Sequence, residues 1–286
     1  MDNLNSEFDG KLSIAIDIFL NNYKKGFLHK LVSGQFDMDR LDYLKRDSFF
    51  TGVSEGTVNY ERLLSMLNIH DDEIVMEEKG IYSVEKFLMA RRLMYWQVYL
   101  HKTVLIAEYT IMNVLKRAKE LSLQGLDLFA TPALSFFLKN KVKIGDFENN
   151  PEVLHQFSML DDYDISASLK VWTNNSDFIL SFLSQSLVNR KLFRIEIQNE
   201  PFSADMVDNI RKKVMNKFGL DKSEIDYFVI NEKTTNYTYK PGSGNISILQ
   251  KDGNIVDVIK ATDDLNINLL NKPTTKYFLS YPKLMG

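Results

Sequence analysis

Cysteine is absent from this sequence of 286 residues, and histidine occurs only four times. Without cysteine the chain can form no disulfide, no thiolate-bound metal site and no cysteine nucleophile. This composition suits a reducing compartment, and we expect a cytoplasmic protein. The first residues, MDNLNSEFDGK, are polar and acidic and do not have the pattern of a signal peptide.

Long apolar runs and a strong charge of one sign are also missing. The most apolar run, residues 103–115, contains Glu108 and is too short to cross a bilayer, so we expect no membrane segment. With 35 basic and 38 acidic residues the formal net charge is −3, which gives no indication of general nucleic-acid binding. The chain is 44% hydrophobic and 26% charged, which is typical of one large or two modest globular domains.

The spacing of the apolar residues changes near residue 190. Before that point it predicts helices over 11–31, 36–48, 57–68, 83–121 and several more within 122–190. The segment 69–82 is a connector or a hairpin. After residue 190 the pattern predicts a strand at 192–197, a helix at 203–218, a strand at 226–230, a hairpin turning at Asp252-Gly253 and a last strand at 276–282. We therefore expect a mainly α fold with a smaller C-terminal α+β unit, in domains of 1–190 and 191–286.

Three helix ends can be predicted from single residues. Gly52 is expected to end the helix that begins near residue 36, because glycine favours the left-handed conformation that follows a helix. Ser83 is expected to cap the start of the long helix, and Asp164 the start of a later one.

The helix over 36–48 carries an unusual polar face. Asp39, Tyr43 and Asp47 lie one above another at helical spacing, with Asp42 and Arg46 beside them. If that face is buried, its carboxylates need a cation, and a divalent metal with a phosphate ester would satisfy both signs of charge. The alternative is a solvated face held by an ion pair between Asp42 and Arg46.

A second polar stripe lies on the helix over 83–121. Arg91, Tyr95, Tyr99 and Lys102 fall on one face, within about 80° of arc. Arginine and lysine bind phosphate oxygens, and a tyrosine ring can stack on a base, so the stripe suits a nucleotide. The alternative is packing between helices, with the cations reaching out to solvent.

The first stripe resembles a segment of the HD-domain phosphohydrolases, in particular their deoxynucleoside triphosphate triphosphohydrolase branch. The pattern of that branch is D-x-D-[KR]-x-D-Y-x-x-R-D, followed shortly by T-G. The matching residues here are Asp37, Asp39, Arg40, Asp42, Tyr43, Arg46, Asp47, Thr51 and Gly52. The second stripe is similar to a helix of the same family, in which an arginine precedes a Y-x-H-K run.

The resemblance implies a fold, a cofactor and a set of roles. The fold is an HD-type helical bundle, and the cofactor is a divalent metal such as Mg²⁺ or Mn²⁺, with Asp39 as its last protein ligand. Arg40 and Tyr43 would contact substrate phosphates, and Asp47 would hold the sugar. In the second stripe, Arg91 would contact phosphate, Tyr99 would pack on base or sugar, and Lys102 ends the Y-x-H-K run. The family often has histidine where this chain has Tyr95.

The metal site that the resemblance implies is incomplete in this sequence. The family places a histidine and then a His-Asp pair well before the ligand that matches Asp39. Here 38 residues precede Asp39, and they contain one histidine, His29. The His70-Asp71 dipeptide follows Asp39 in a polar connector and is interpreted as a surface feature. We therefore expect that the chain matches the part of the family that follows the H…HD motif, and that its start is a truncation or an internal start.

Two classes of function remain open at this point. The first is a metal-dependent hydrolase that converts a deoxynucleoside triphosphate into deoxynucleoside and triphosphate, with this polypeptide alone inactive because of the missing ligands. The second is a non-catalytic nucleotide-binding or oligomerisation module. In either class we expect a homo-oligomer, because apolar residues over 12–31 would otherwise lack partners.

Overall fold

The structure is a computed structural model that describes residues 1–237, 239, 245–262 and 273–283. Its helices are α1 Asp2–Glu7, α2 Ser13–Phe19, α3 Gly26–Val32, α4 Met38–Thr51, α5 Tyr60–Ser65, α6 Ile81–Met94, α7 Lys102–Leu123, α8 Pro132–Lys139, α9 Asp146–Asn149, α10 Pro151–Ser158, α11 Asp162–Trp172, α12 Phe178–Val188, α13 Ala204–Phe218 and α14 Val258–Ala261. Its strands are β1 Leu67–His70, β2 Glu73–Glu77, β3 Arg194–Gln198, β4 Ile230–Asn236, β5 Ser247–Leu249, β6 Ile255–Asp257 and β7 Thr274–Tyr281. The fold is mainly α with a smaller C-terminal region of strands and helices, which confirms the predicted class.

The chain forms two compact units, each built from two segments. The first contains Met1–His101 and Thr235–Thr275, and the second contains Lys102–Thr234 and Lys276–Gly286. The division at residue 190 remains a prediction, because it follows the change from helix to strand rather than the packing of the chain. Residues 263–272, within the predicted C-terminal domain, lie outside the described residues.

The core of the first unit lies between α4, α6 and a small sheet. Within α6, positions 84, 87, 88, 90, 91 and 94 are buried, so the helix turns one stripe inward. Leu44 of α4 and Leu63 of α5 are fully buried in the same core. Burying a leucine side chain of this kind contributes roughly 1.5–3 kcal/mol. The strands of this unit are ordered β1-β2-β5-β6, and β2 pairs with β5 in parallel.

The second unit is built around α7, which packs against α8 and α12. The rings of Phe178, Phe182 and Phe228 form part of a cluster of aromatic side chains beside α12. Trp172 is buried, and its ring N–H donates to the carbonyl oxygen of Phe129 at 2.9 Å. The three-stranded sheet is ordered β3-β7-β4, with β3 antiparallel to β7.

Several elements lie where the sequence predicts them. Helix α4 ends at Gly52, whose φ of 72° is the left-handed conformation that favours glycine. Helix α13 begins after Ser203, whose side chain accepts a hydrogen bond from the backbone N–H of Met206. Strands β5 and β6 form the hairpin that turns at Asp252-Gly253.

The single helix predicted over 83–121 is wrong. Helix α6 already begins at Ile81, so Ser83 lies inside it and is not its N-cap. A π-helical turn, Tyr95–Tyr99, follows α6, and α7 starts only at Lys102. The apolar spacing continues across this interruption, which is why periodicity alone does not reveal it.

Other boundaries also differ from the prediction. The helix predicted over 57–68 is only α5, and the hairpin is formed by β1 and β2 with Asp71 and Asp72 in its turn. Both aspartates have positive φ, which aspartate tolerates better than most residues. The N-cap of α11 is Asp161, and Asp164 completes a capping box three residues later.

The strand predicted at 226–230 is also wrong. Residues Ile225–Tyr227 form a 3-10 turn, and strand β4 begins only at Ile230. Across the described residues, no helix is both long and apolar enough to cross a membrane.

Candidate functional site

The start of helix α4 is organised by a buried carboxylate. Asp37, only 4% exposed, is the N-cap of the helix, and its Oδ1 accepts from the backbone N–H of Arg40 at 2.8 Å. Its Oδ2 accepts from the Arg40 Nε at 3.1 Å and from the Gly34 backbone N–H at 3.0 Å. The guanidinium of Arg40 is therefore held at the N-terminus of α4. Sequence reasoning gave Asp37 no role, although an aspartate ahead of a helix is a common cap signal.

Helix α4 presents Tyr43 and Asp47 towards the helix that contains Tyr99. The Tyr99 hydroxyl donates to Asp47 Oδ2 at 2.6 Å. The rings of Tyr43 and Tyr99 meet edge to face, with their centroids 6.0 Å apart. Residues 52 positions apart in the chain are thus brought together, and each of these three side chains is half-buried.

Arg91 lies near Tyr43 and Tyr99 and is buried, which is unusual for a cation. Its side chain is 7% exposed, and its Nε and Nη1 are buried with no hydrogen-bond partner among the described residues. Its guanidinium carbon lies 5.7 Å from the centroid of the Tyr95 ring. The Tyr95 ring in turn meets Tyr99 at 5.2 Å. We call Tyr43, Asp47, Arg91, Tyr95 and Tyr99 the tyrosine–arginine cluster.

The protonation of the cluster follows from its burial. Burial raises the pKa of Tyr43 to about 12, and Tyr95 adds to this rise while Arg91 and Arg40 oppose it. Burial and the hydrogen bond to Asp47 also raise the pKa of Tyr99. Both phenols are therefore protonated at neutral pH and can donate hydrogen bonds. The cluster offers hydroxyl donors and a guanidinium, which are groups that bind phosphate oxygens.

The remaining residues of the first stripe face solvent. Asp39 is exposed on the first turn of α4. Asp42 and Arg46 form an exposed ion pair, so the solvated-face interpretation is right for these two residues. Part of the first stripe therefore belongs to the half-buried cluster with the second stripe, and the rest of it is an ordinary exposed polar surface.

The residues present do not fit a metal site on their own. In the part of the chain that the structure describes, no group of three or more His, Cys, Asp or Glu could hold a metal ion. A divalent ion such as Mg²⁺ takes about six oxygen ligands, of which Asp39 would supply one. His70 ends strand β1 and Asp71 follows in the turn, with His70 Nε2 at 3.5 Å from Asp71 Oδ2.

Lys102 is the member of the second stripe that the cluster does not include. It is the exposed first residue of α7 and belongs to the second unit. Its part in binding stays a prediction.

Sequence reasoning placed Tyr95 on the second stripe but missed the π-helical turn that begins with it. The backbone N–H of Leu100 donates to the carbonyl oxygen of Tyr95 at 2.7 Å, five residues back. Such turns often occur at functional sites. The residues of the turn, YWQVY, are mostly aromatic and carry no pattern that distinguishes a π turn from an α turn.

Comparison with known proteins gives three informative matches. The model of the HD associated region matches residues 58–132. The chain is 49% identical to a phosphohydrolase from Bacteroides thetaiotaomicron, whose crystal structure superposes with a TM-score of 0.93 over 99% of this chain and 70% of that one. It is also 30% identical over 276 residues to an uncharacterized protein of Bacillus subtilis. The aligned region covers 93% of this chain and 60% of that relative.

A further match, to a relative with a more specific name, covers a smaller part of the chain. The chain is 28% identical over 100 residues to a deoxynucleoside triphosphate triphosphohydrolase SAMHD1 homolog of Dictyostelium discoideum. This aligned region covers 34% of this chain and 19% of that protein. The likeness to the Bacteroides protein covers nearly the whole chain and more than two thirds of its relative, and the HD associated region lies within it. The chain therefore belongs to the HD-domain phosphohydrolase family.

Proposed function

We propose that this chain supplies the substrate-binding part of an HD-family phosphohydrolase that acts on deoxynucleoside triphosphates. The observation that carries the proposal is Arg91, a buried guanidinium beside several phenol groups, two of whose donors have no hydrogen-bond partner among the described residues. A buried donor without a partner costs about 1–3 kcal/mol, and more when it is charged. A polyphosphate would satisfy these donors and neutralise the charge. The SAMHD1 homolog, whose name states a triphosphohydrolase of deoxynucleotides, supports the same substrate class.

The roles within the cluster follow from charge and shape. Arg91 and Arg40 would bind phosphate oxygens, and the protonated Tyr43 would donate to a third. Asp47 accepts a hydrogen bond from Tyr99 and would accept one from a sugar hydroxyl in the same way. The Tyr99 ring offers an apolar face to sugar or base. Asp39 keeps its role from the resemblance, as a ligand of a divalent metal. Lys102 keeps the phosphate-binding role that its place in the second stripe suggests.

Binding of an intact deoxynucleoside triphosphate tests this proposal directly. The Arg91→Met substitution should weaken the affinity roughly 10- to 100-fold, because one charged hydrogen-bonding group contributes about 1.5–3 kcal/mol. The neighbouring Arg92→Met, which removes the same charge one residue further along α6, should change the affinity less than threefold. Isothermal titration with each of the four common deoxynucleoside triphosphates measures both. Equal losses in the two variants would reduce the effect to general electrostatics and would contradict the proposal.

Turnover is a separate question from binding. We propose that the chain alone releases little or no triphosphate with Mg²⁺ or Mn²⁺, because its described residues do not complete a metal site around Asp39. Robust turnover that is lost in Asp39→Ala would overturn this and show that the chain completes the site. Turnover that survives Asp39→Ala would remove Asp39 from the reaction.

A non-catalytic assembly module is the second candidate, and it rests on exposed apolar side chains. Within the described chain, α2 has no buried residue, and Ile14 and Phe19 are more than half exposed. Phe49 and Phe50 are 79% and 77% exposed beside a cavity of about 880 Å³. Such surfaces suit contact with a second copy of the chain, and we propose a cytoplasmic homo-oligomer. Sedimentation as a stable monomer at tens of micromolar (roughly 10–50 µM) would contradict this.

A further inference from the structure

Tyr95 contacts three members of the tyrosine–arginine cluster at once. Its ring lies under the Arg91 guanidinium, with 5.7 Å between the guanidinium carbon and the ring centroid. The edge of the ring meets Tyr99 at an interplanar angle of 75°. The Tyr95 hydroxyl is close enough to Tyr43 to help raise the pKa of that phenol. A side chain with these contacts can influence both the cation and the phenols of the cluster.

The position of Tyr95 in the backbone explains how it reaches both neighbours. It is the first residue of the π-helical turn, directly after α6 ends at Met94. A π turn contains more residues than an α turn, so each residue advances less around the helix axis. The turn therefore brings Tyr99 back towards the line of Arg91, with Tyr95 between them.

An aromatic ring holds a cation in a different way from a carboxylate. A carboxylate would neutralise the guanidinium and compete with an incoming phosphate for the same N–H groups. The face of a tyrosine ring attracts the cation but leaves its charge and its N–H groups available. Arg91 fits this second situation, because its Nε and Nη1 meet no acceptor on the described residues.

We propose that Tyr95 is a positioning residue for polyphosphate binding, whose ring holds the Arg91 guanidinium in place while leaving its donors free. This inference rests on the proposed function of the cluster, since it names the ligand as the polyphosphate of the substrate. The hydroxyl of Tyr95 has a smaller part, which is to orient Tyr43. Tyr95 itself donates no hydrogen bond to the ligand in this proposal.

Two substitutions separate the ring from the hydroxyl. Tyr95→Phe keeps the ring, and Tyr95→Leu removes it. With inorganic tripolyphosphate as the probe, at roughly 0.1 M salt so that screening is constant, Tyr95→Leu should weaken binding roughly tenfold or more. Tyr95→Phe should stay within threefold of the unchanged chain. Tyr82→Leu, at a 77% exposed tyrosine of α6, is the matched control and should have no effect.

A second measurement does not depend on binding. The Arg91 Nε–H resonance, assigned by its loss in Arg91→Lys, should show a ring-current shift in the ligand-free chain. The shift should persist in Tyr95→Phe and disappear in Tyr95→Leu, while the other arginine resonances stay in place and report that the chain is folded.

The outcomes distinguish this inference from the proposed function. If the unchanged chain binds tripolyphosphate and Tyr95→Leu binds it equally well, the positioning role is wrong and the proposed function stands. If Tyr95→Phe loses as much affinity as Tyr95→Leu, the hydroxyl and not the ring is responsible, and the inference is overturned. If the unchanged chain does not bind tripolyphosphate, the proposed function is wrong. If the Arg91 resonance is unaffected by Tyr95→Leu, the contact between the Tyr95 ring and the guanidinium is wrong as well.

Discussion

Arg91 and Arg117 are both largely buried and both lie over a tyrosine ring, but only Arg117 is paired with carboxylates on the described residues. Arg91, in the first unit, lies over the ring of Tyr95, and Arg117, in the second unit, lies over the ring of Tyr227 at 5.9 Å. Each unit also contains a tyrosine hydroxyl that donates to a carboxylate, from Tyr99 to Asp47 in the first and from Tyr227 to Glu120 in the second.

The difference is the carboxylate that faces the guanidinium. Arg117 donates two hydrogen bonds to Asp177, at 3.1 Å and 2.5 Å, and lies 3.6 Å from Glu120. Arg91 has no such carboxylate among the described residues. Asp177 is itself the N-cap of α12, so the Arg117 pair joins two helices of the second unit. The carboxylates explain Arg117 as part of the fold, whereas Arg91 keeps two donors without a partner among the described residues, on which the proposed phosphate site rests.

The largest expected effect is on stability. Arg117→Met should destabilise the protein by roughly 3 kcal/mol, because it leaves the Asp177 carboxylate shielded and unpaired. Arg91→Met should change stability by less than about 1 kcal/mol or increase it, because it removes a buried charge that has no carboxylate partner among the described residues. Urea unfolding followed by circular dichroism measures both.

The control for this pair is the double change at the second site. Arg117→Met with Asp177→Ser, which keeps a capping side chain on α12, should recover part of the loss. A larger loss from Arg91→Met than from Arg117→Met would reverse the comparison and make Arg91 a structural residue.

A smaller effect concerns the two tyrosine–carboxylate hydrogen bonds. Tyr99→Phe and Tyr227→Phe should each cost about 1–2 kcal/mol, because each leaves one carboxylate short of a donor. The two losses should be similar, since these contacts are alike in the two regions. Thermal unfolding of both variants is the measurement, and Tyr163→Phe, at an exposed tyrosine, is the control. A loss confined to Tyr227→Phe would show that the cluster around Tyr99 is loosely formed.

The smallest effect is a change in alkaline titration. The pKa of Tyr43 is raised to about 12 in the folded protein, against about 10 in the unfolded chain. The stability that this shift contributes is fully present below about pH 10 and is lost as the pH rises through 12. Tyr43→Phe should remove this loss and also one late-titrating phenol in the ultraviolet absorbance. A phenol that titrates near pH 10 and disappears in Tyr43→Phe would show that Tyr43 is exposed.

Some of this arrangement follows from the sequence and some of it does not. The position of α4 could be predicted, because Leu41 and Leu44 mark its inner stripe and Gly52 its end. The two polar stripes that carry Asp47 and Tyr99 could also be identified from the sequence. The structure brings both residues together in the first unit.

The interruption after α6 and the isolation of Arg91 could not be predicted. Hydrophobic spacing reports which side of a helix is buried, and here apolar residues recur at helical intervals on both sides of the π turn, so the spacing does not mark it. The partner of a charged side chain depends on contacts distant in sequence, as the 60-residue separation of Arg117 from Asp177 shows. The hairpin of β1 and β2 was obscured because its turn uses two aspartates and not an Asn-Gly or Asp-Gly pair.

The parallel pairing of β2 with β5 has a consequence for the order of assembly. Val75 lies opposite Ser247, so the sheet of the first unit joins segments that are more than 170 residues apart. During synthesis, the edge of β2 that pairs with β5 stays unpaired until the whole of Lys102–Thr234 has been made. Long-range pairing of this kind is slow, and the exposed edge invites pairing with another nascent chain. The second unit can acquire most of its helices first, so the first unit is completed later, although its segment Met1–His101 precedes the second unit in sequence.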